Sequence, residues 1–136
     1  MAKYKNEKKT IDGYRFDSKV EAKFYEKLVS DKAKGLILNF ELQPEFTLVP
    51  KFTNSFGKKV QSIVLKADFI VYELDHTQTV IDIKGMATSE AKLKRKMFWN
   101  IYKGEELLWL VWRAGQWLNY DDVMKAKNKR KRDKKL

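Results

Sequence analysis

Cysteine is absent from this chain, which removes disulfides and thiolate metal sites together. Histidine is almost absent: the single one, His76, falls where a turn is expected. One imidazole argues against a structural zinc site and against a serine–histidine or cysteine–histidine catalytic pair. Long apolar runs are missing as well. None approaches the roughly 20 residues of a membrane span, and no secretory signal opens the chain, so a cytoplasmic protein with no membrane partner is expected. Proline occurs twice, at Pro44 and Pro50, and both mark edge or irregular strand pairing. With neither thiols nor several imidazoles, any bound metal must sit among oxygen ligands, which favours Mg2+ or Mn2+.

Acids are in deficit. Against 18 Asp and Glu stand 29 Lys and Arg, a net charge of +11 over 136 residues. The stretch Lys125–Leu136 alone carries +7, leaving +4 for the rest. Smaller basic clusters occur at Lys3–Lys9 and Lys92–Lys96. A polyanion is the natural partner for such a surface, and nucleic acid fits better than an acidic membrane because the tail has no aromatic anchor.

What remains is enough for one domain: 43% hydrophobic and 13% aromatic residues can build a core. Residues 1–13 read as a flexible basic arm ending in a turn at Asp12-Gly13, residues 14–122 as the folded domain, and residues 123–136 as a basic C-terminal helix or tail. Ser18 with Glu21 three residues on is a helix-start pattern, and Gly35 a stop. Val20, Phe24, Tyr25 and Leu28 give that helix its buried arc, and Glu21 falls inside it. Leu36–Val49 is strand-like, Lys51–Lys59 reads as a loop, and two apolar runs from Ile63 to Gly85 form a hairpin turning near His76. Thr88 or Ser89 caps a second helix ending near Lys103-Gly104, with Leu93, Met97, Phe98, Ile101 and Tyr102 as its apolar stripe. Lys92, Lys94, Arg95 and Lys96 cover its other faces. Leu107–Trp112 reads as a strand covered on both sides, Gln116–Tyr120 as a short strand, and Asp121 as the cap of a last helix dissolving into the tail. The order implies an α/β sandwich with a mixed central sheet flanked by helices.

The chemistry-bearing pattern lies in the hairpin. Asp68 is in the first run; Asp82 and Lys84 are in the second and share a face because strand side chains alternate. Pairing places Asp68 nearly opposite them. Two carboxylates and an ammonium at an apolar sheet edge are costly unless a metal or phosphate compensates them. Phosphodiester hydrolysis uses such a set: carboxylates to hold a metal, and a lysine to orient or deprotonate water or stabilise the pentavalent state. Asp68, Asp82 and the Ile83 carbonyl are the candidate ligands, with Glu21 as an auxiliary acid. Each residue also has an ordinary reading. The acids can be exposed strand residues, Lys84 their ion-pair partner, and Glu21 the capping partner of Ser18.

The succession of helix acid, strand acid and acid-x-Lys resembles the PD-(D/E)XK nuclease superfamily, with its restriction-endonuclease-like fold. The core motif matches Ala67-Asp68 and Asp82-Ile83-Lys84, with Ala67 in place of the motif's proline. The segments DGYRFDSKVEAKFYEKL, NFELQPEFTLVPKF, ADFIVYE and VIDIKGMATSEAKLKRKMF resemble a family of small phage-encoded members similar to Holliday-junction resolvases. The endonuclease subunit of some transposases shares the fold. The resemblance implies a magnesium-dependent DNA endonuclease acting on branched or duplex DNA in recombination or replication, and a host-cytoplasm location if phage-encoded. It adds Gln43 to the catalytic set of Glu21, Asp68, Asp82 and Lys84. Lys92, Lys94, Arg95, Lys96, Lys129, Arg130, Lys131 and Arg132 are the residues expected to hold DNA, and a homodimer is the expected assembly. The rivals are a non-catalytic DNA-binding protein that keeps the fold and a nuclease subunit of a larger complex.

Overall fold

The computed structural model describes residues 8–135. Its elements are β1 (Lys9–Ile11), β2 (Tyr14–Phe16), α1 (Lys19–Ala33), β3 (Asn39–Leu42), β4 (Glu45–Val49), β5 (Phe52–Thr53), β6 (Lys59–Val60), β7 (Ile63–Lys66), β8 (Phe69–Tyr72), β9 (Gln78–Ile83), α2 (Ser89–Ile101), β10 (Glu106–Arg113), β11 (Gln116–Asn119) and α3 (Tyr120–Lys134). A five-stranded sheet runs in the order β11-β10-β9-β8-β3. It is mixed: β9 and β10 are parallel, joined by α2 as the crossover, and the other neighbours are antiparallel. The fold class is therefore the expected α/β sandwich.

Two apolar layers hold it together. On one face Phe24, Tyr25 and Leu28 of α1, with Phe16 of β2, pack on Phe69, Val71 and Ile81. On the other, Phe98 of α2, Tyr120 of α3 and Leu48 and Leu65 of β4 and β7 pack on Ile70, Val80 and Trp109. β9 and β10 thus alternate between two buried faces, which is why Leu107–Trp112 is continuously apolar. Among the described residues no helix is long and apolar enough to cross a membrane.

Several elements differ from the reading of the sequence. The expected flexible arm ends in a β-hairpin: Lys9–Ile11 pairs with Tyr14–Phe16 across Asp12-Gly13, both at positive φ as a tight hairpin turn demands. Residues 1–7 of that arm lie outside the described residues. The first apolar run is two strands. β7 pairs with β4, whereas β8 joins the main sheet between β3 and β9. The segment Lys51–Lys59 contains β5 and opens β6, a second small hairpin on top of β4 and β7. The cap of α3 is Asn119, whose side chain accepts the Asp122 N–H, while Asp121 is free to pair elsewhere. That helix continues as one element to Lys134, across the boundary expected at residue 123, because Tyr120, Val123 and Met124 dock its first turn into the core.

The stripe expected on α2 is kept in part: Met97, Phe98 and Tyr102 pack on the core. Leu93 and Ile101 are exposed, at 60% and 45%. The inward face carries Ala91, Arg95, Phe98 and Tyr102, at spacings of one helical turn. Arg95 is the residue that misleads a hydrophobicity reading. Its guanidinium stacks 3.6 Å from the centre of the Trp109 ring and makes a bidentate pair with Asp121 at 2.9 and 3.2 Å. Arg95 is thus a structural tie between α2, α3 and β10, not the free phosphate ligand expected from the basic run.

Candidate functional site

The turn from β7 to β8 decides the geometry. The chain leaves the β4–β7 pair at Lys66 and enters the main sheet at Phe69, so Asp68 sits at the root of β8. The register Phe69↔Ile81 carried one step outward sets Asp68 opposite Asp82. The backbone N–H of Asp68 donates to Asp82 Oδ1 at 3.0 Å, and the Ile83 N–H donates to Asp68 Oδ2 at 2.8 Å. Each aspartate is locked by one oxygen onto main chain. The second oxygens, Asp68 Oδ1 and Asp82 Oδ2, receive no hydrogen bond from a backbone N–H among the described residues, and Asp82 Oδ2 lies 3.5 Å from Lys84 Nζ.

Lys84 is held in turn. Its N–H continues the ladder to the Leu110 carbonyl at 2.8 Å, and its ammonium lies 5.2 Å from the centre of the Trp109 ring. Trp109 therefore carries Lys84 and Arg95 on its π surface. The parallel register puts Trp109 beside Asp82. Sequence reasoning missed this tryptophan, because its partner strand is a parallel crossover neighbour and no local spacing announces it.

Glu21 arrives from α1. Ser18 accepts the Glu21 N–H at 3.1 Å, one half of the expected capping exchange. Its carboxylate, with Gln43 and Asp68, lines a cleft of about 360 Å³ walled by Gly13–Phe16. Gln43 is a non-glycine residue at φ 51, and its N–H donates to the Asp68 carbonyl at 2.9 Å. Left-handed backbone at a glutamine is uncommon and concentrates at functional sites. Asp82 and Lys84 do not line that cleft; they line a smaller hollow of about 180 Å³ with Lys66, Ala91, Lys94 and Trp109. Lys94 also pairs with Glu90 at 3.2 Å.

The electrostatics are those of a site short of positive charge. Burial pushes the Asp68 carboxyl up to about 8, with the neighbouring Asp82 and Glu21 charges adding to it. Asp82, 6% exposed, is also raised by burial, while Lys84 opposes the rise. Glu21 is raised by burial first, then by Asp17 and Asp82. Close carboxylates in low dielectric cannot all ionise without a compensating cation.

Among the described residues, no three acid or histidine side chains stand together as a complete ligand set. Glu21 shares the cleft with Asp68 but does not turn the aspartate pair into a triad. Asp68 Oδ1, Asp82 Oδ2, which Lys84 now pairs, and a main-chain carbonyl are the oxygens that would face a cation here, a number that suits Mg2+, which keeps several waters and takes one or two carboxylates.

Of the residues expected to hold DNA, Lys92 and Lys96 are exposed on α2, and Lys129, Arg130, Lys131 and Arg132 are exposed on α3. Lys94 is half-buried beside the site, and Arg95 is committed to Asp121.

The chain belongs to the family described as "Protein of unknown function (DUF1064)", whose model matches residues 1–118. No curated protein and no solved structure matches it.

Proposed function

We propose that this member of the family is a Mg2+- or Mn2+-dependent DNA endonuclease of the PD-(D/E)XK type, acting on branched DNA as a homodimer. The observation that carries the reading is the cross-strand lock of Asp68 and Asp82. Each fixes one carboxylate oxygen on main chain, and the other oxygen of Asp82 lies 3.5 Å from the ammonium of Lys84, which sits against Trp109.

Asp68, Asp82 and the Ile83 carbonyl would hold the ion, with Glu21 reaching its water shell. A divalent cation there supplies charge neutralisation at the scissile phosphate and a more acidic water. Lys84, as the ammonium paired with Asp82, would orient the attacking water through its N–H donors, the water's proton passing to solvent, and stabilise negative charge gathering on the phosphate oxygens. Its position is set by packing and a backbone ladder, so little reorganisation is needed when substrate arrives. Gln43, held by its own backbone bond to Asp68, lines the approach to that acid. The lysines and arginines of α3 and the outer face of α2 hold phosphates without reading bases. One chain has one site, and cutting two strands of a junction needs two, which a twofold dimer supplies.

Incubating purified protein with a four-way junction and a linear duplex, with and without Mg2+, tests this, with Asp82→Asn as the control. Metal-dependent cleavage by wild type alone supports the reading. Binding without cleavage in Mg2+ or Mn2+ puts the non-catalytic DNA-binding alternative in its place.

A further inference from the structure

β4 and β7, then β5 and β6, form one antiparallel ribbon that leaves the body of the protein at the candidate site. Its lower half is packed: Leu48 and Leu65 are buried, Phe46 meets Phe98 and Tyr102 edge-on, and the Tyr102 hydroxyl donates to the Thr47 carbonyl at 2.8 Å. Its upper half projects. From Pro50 to Ile63 every residue is exposed except Asn54 and Val60, which are intermediate. At a rise of about 3.3 Å per residue the ribbon extends roughly 30 Å from Pro44 to Asn54.

The tip is built rather than frayed. Asn54 Oδ1 accepts the Phe56 N–H at 2.9 Å and the Lys58 N–H at 3.0 Å. The Asn54 N–H donates to the Lys58 carbonyl, and Gly57, at φ 81, donates to the Asn54 carbonyl. This closed turn holds Phe56 outward at 91% exposure, between the small residues Ser55 and Gly57. A ring so exposed contributes nothing to this domain's core, and a turn so fully hydrogen-bonded holds it in place.

Charge identifies what the ring meets. Between Glu45 and Asp68 there is no acid, and the charged residues are Lys51, Lys58, Lys59 and Lys66. The arm is a cationic ribbon with an aromatic at its end, the combination that tracks a phosphate backbone and stacks on a base. A fully paired duplex offers no free base face, whereas a branch point does. We infer that Phe56 is a stacking wedge that docks on the unpaired or unstacked bases of branched DNA, with Lys51, Lys58 and Lys59 holding the flanking phosphates. This rests on the nuclease reading, and it assigns to the arm the choice of DNA structure that the acidic site does not make.

The test uses the full chain carrying Asp82→Asn to prevent cutting. Affinity is measured by fluorescence anisotropy for a four-way junction, a splayed fork and a linear duplex of equal length. A 2-aminopurine at the branch reports stacking. Adding Phe56→Ala is expected to weaken junction and fork binding by about tenfold or more and leave duplex binding unchanged. Phe56→Trp should restore the affinity and quench the 2-aminopurine. Equal binding of branched DNA by Phe56→Ala and its parent overturns the wedge, and so does an equal loss on duplex. A fall from dimer to monomer on sedimentation of Phe56→Ala, with branched binding abolished only for that reason, would assign the ring to a second copy instead. Mg2+-dependent cutting by the otherwise wild-type chain is scored separately. Cutting without a Phe56 effect removes the wedge alone, whereas absence of both DNA binding and cutting removes the nuclease reading with it.

Discussion

Replacing Asp68 by Asn should stabilise the metal-free protein, and increasingly so as pH rises. Asn keeps the acceptor that Asp68 offers to the Ile83 N–H, so the cross-strand lock survives. What it removes is a charge placed beside Asp82 and Glu21 in a buried position. The sign follows from proton counts. The folded carboxyl holds its proton up to about 8 and the unfolded one only to about 3.8, so between these values the folded state binds more protons. Wild-type stability therefore falls as pH rises through that window. At about 1.4 kcal/mol per pH unit the ceiling is about 6 kcal/mol. Water entry and relaxation reduce such penalties, and about 2–4 kcal/mol is expected between pH 4.5 and 9. Urea midpoints for both proteins across this range measure it, with the slope of the transition checked for constancy. Millimolar Mg2+ should raise the wild-type midpoint at pH 8 and leave Asp68→Asn unmoved, because only the carboxylate pair binds the ion. Parallel pH curves for the two proteins would refute the claim that Asp68 is a strained acid awaiting a cation.

Asp82→Asn, Asp68→Asn and Lys84→Ala should each lower cleavage by at least about a hundredfold with DNA affinity retained, read by gel assay and anisotropy on the same preparations. Ca2+ should support DNA binding but not cutting, since it does not impose the octahedral geometry of Mg2+; efficient cutting in Ca2+ contradicts the ligand assignment. Arg95→Met should cost about 2 kcal/mol of stability by removing the Asp121 pair and the Trp109 stack, without changing the salt dependence of DNA binding. Removing Lys125–Leu136 should leave the fold intact, because Tyr120, Val123 and Met124 stay in place. It should also flatten the log–log salt slope by about 0.9 for each phosphate that the shortened chain no longer neutralises.

The geometry of the candidate site is legible in the sequence where its determinants are local. Strand alternation placed Asp82 and Lys84 together, and a hairpin turning at His76, now found at φ 68, placed Asp68 opposite. Ser18 marks one helix start, and of the two candidates Thr88 and Ser89 it is Thr88 that caps the next, each through its own side-chain oxygen. The cap of α3 lies two residues before the expected Asp121, because Asn119 both ends a strand and offers the same side-chain acceptor. Long-range arrangements were out of reach. No spacing shows that Trp109 will lie beside Asp82, since a parallel register depends on the whole crossover through α2. Arg95 looked like one more cation in a basic run until Asp121, far along the chain, was brought against it. The split at Ala67–Asp68 was invisible because Ile63–Tyr72 reads as one strand, and only the competing partners β4 and β9 divide it.

The root of the ribbon has a consequence for how such a protein diversifies. The Ala67 N–H donates to the Pro44 carbonyl at 3.0 Å, and the Gln43 N–H to the Asp68 carbonyl at 2.9 Å, so the two ends of the arm are fastened to each other. Everything between them is an excursion that returns to its starting point. Residues added or removed in facing pairs lengthen or shorten the arm and keep the same side chains facing inward at its base. The ribbon is in effect seated in a socket beside the candidate site, one that accepts arms of different reach without altering the strands that carry Asp68, Asp82 and Lys84.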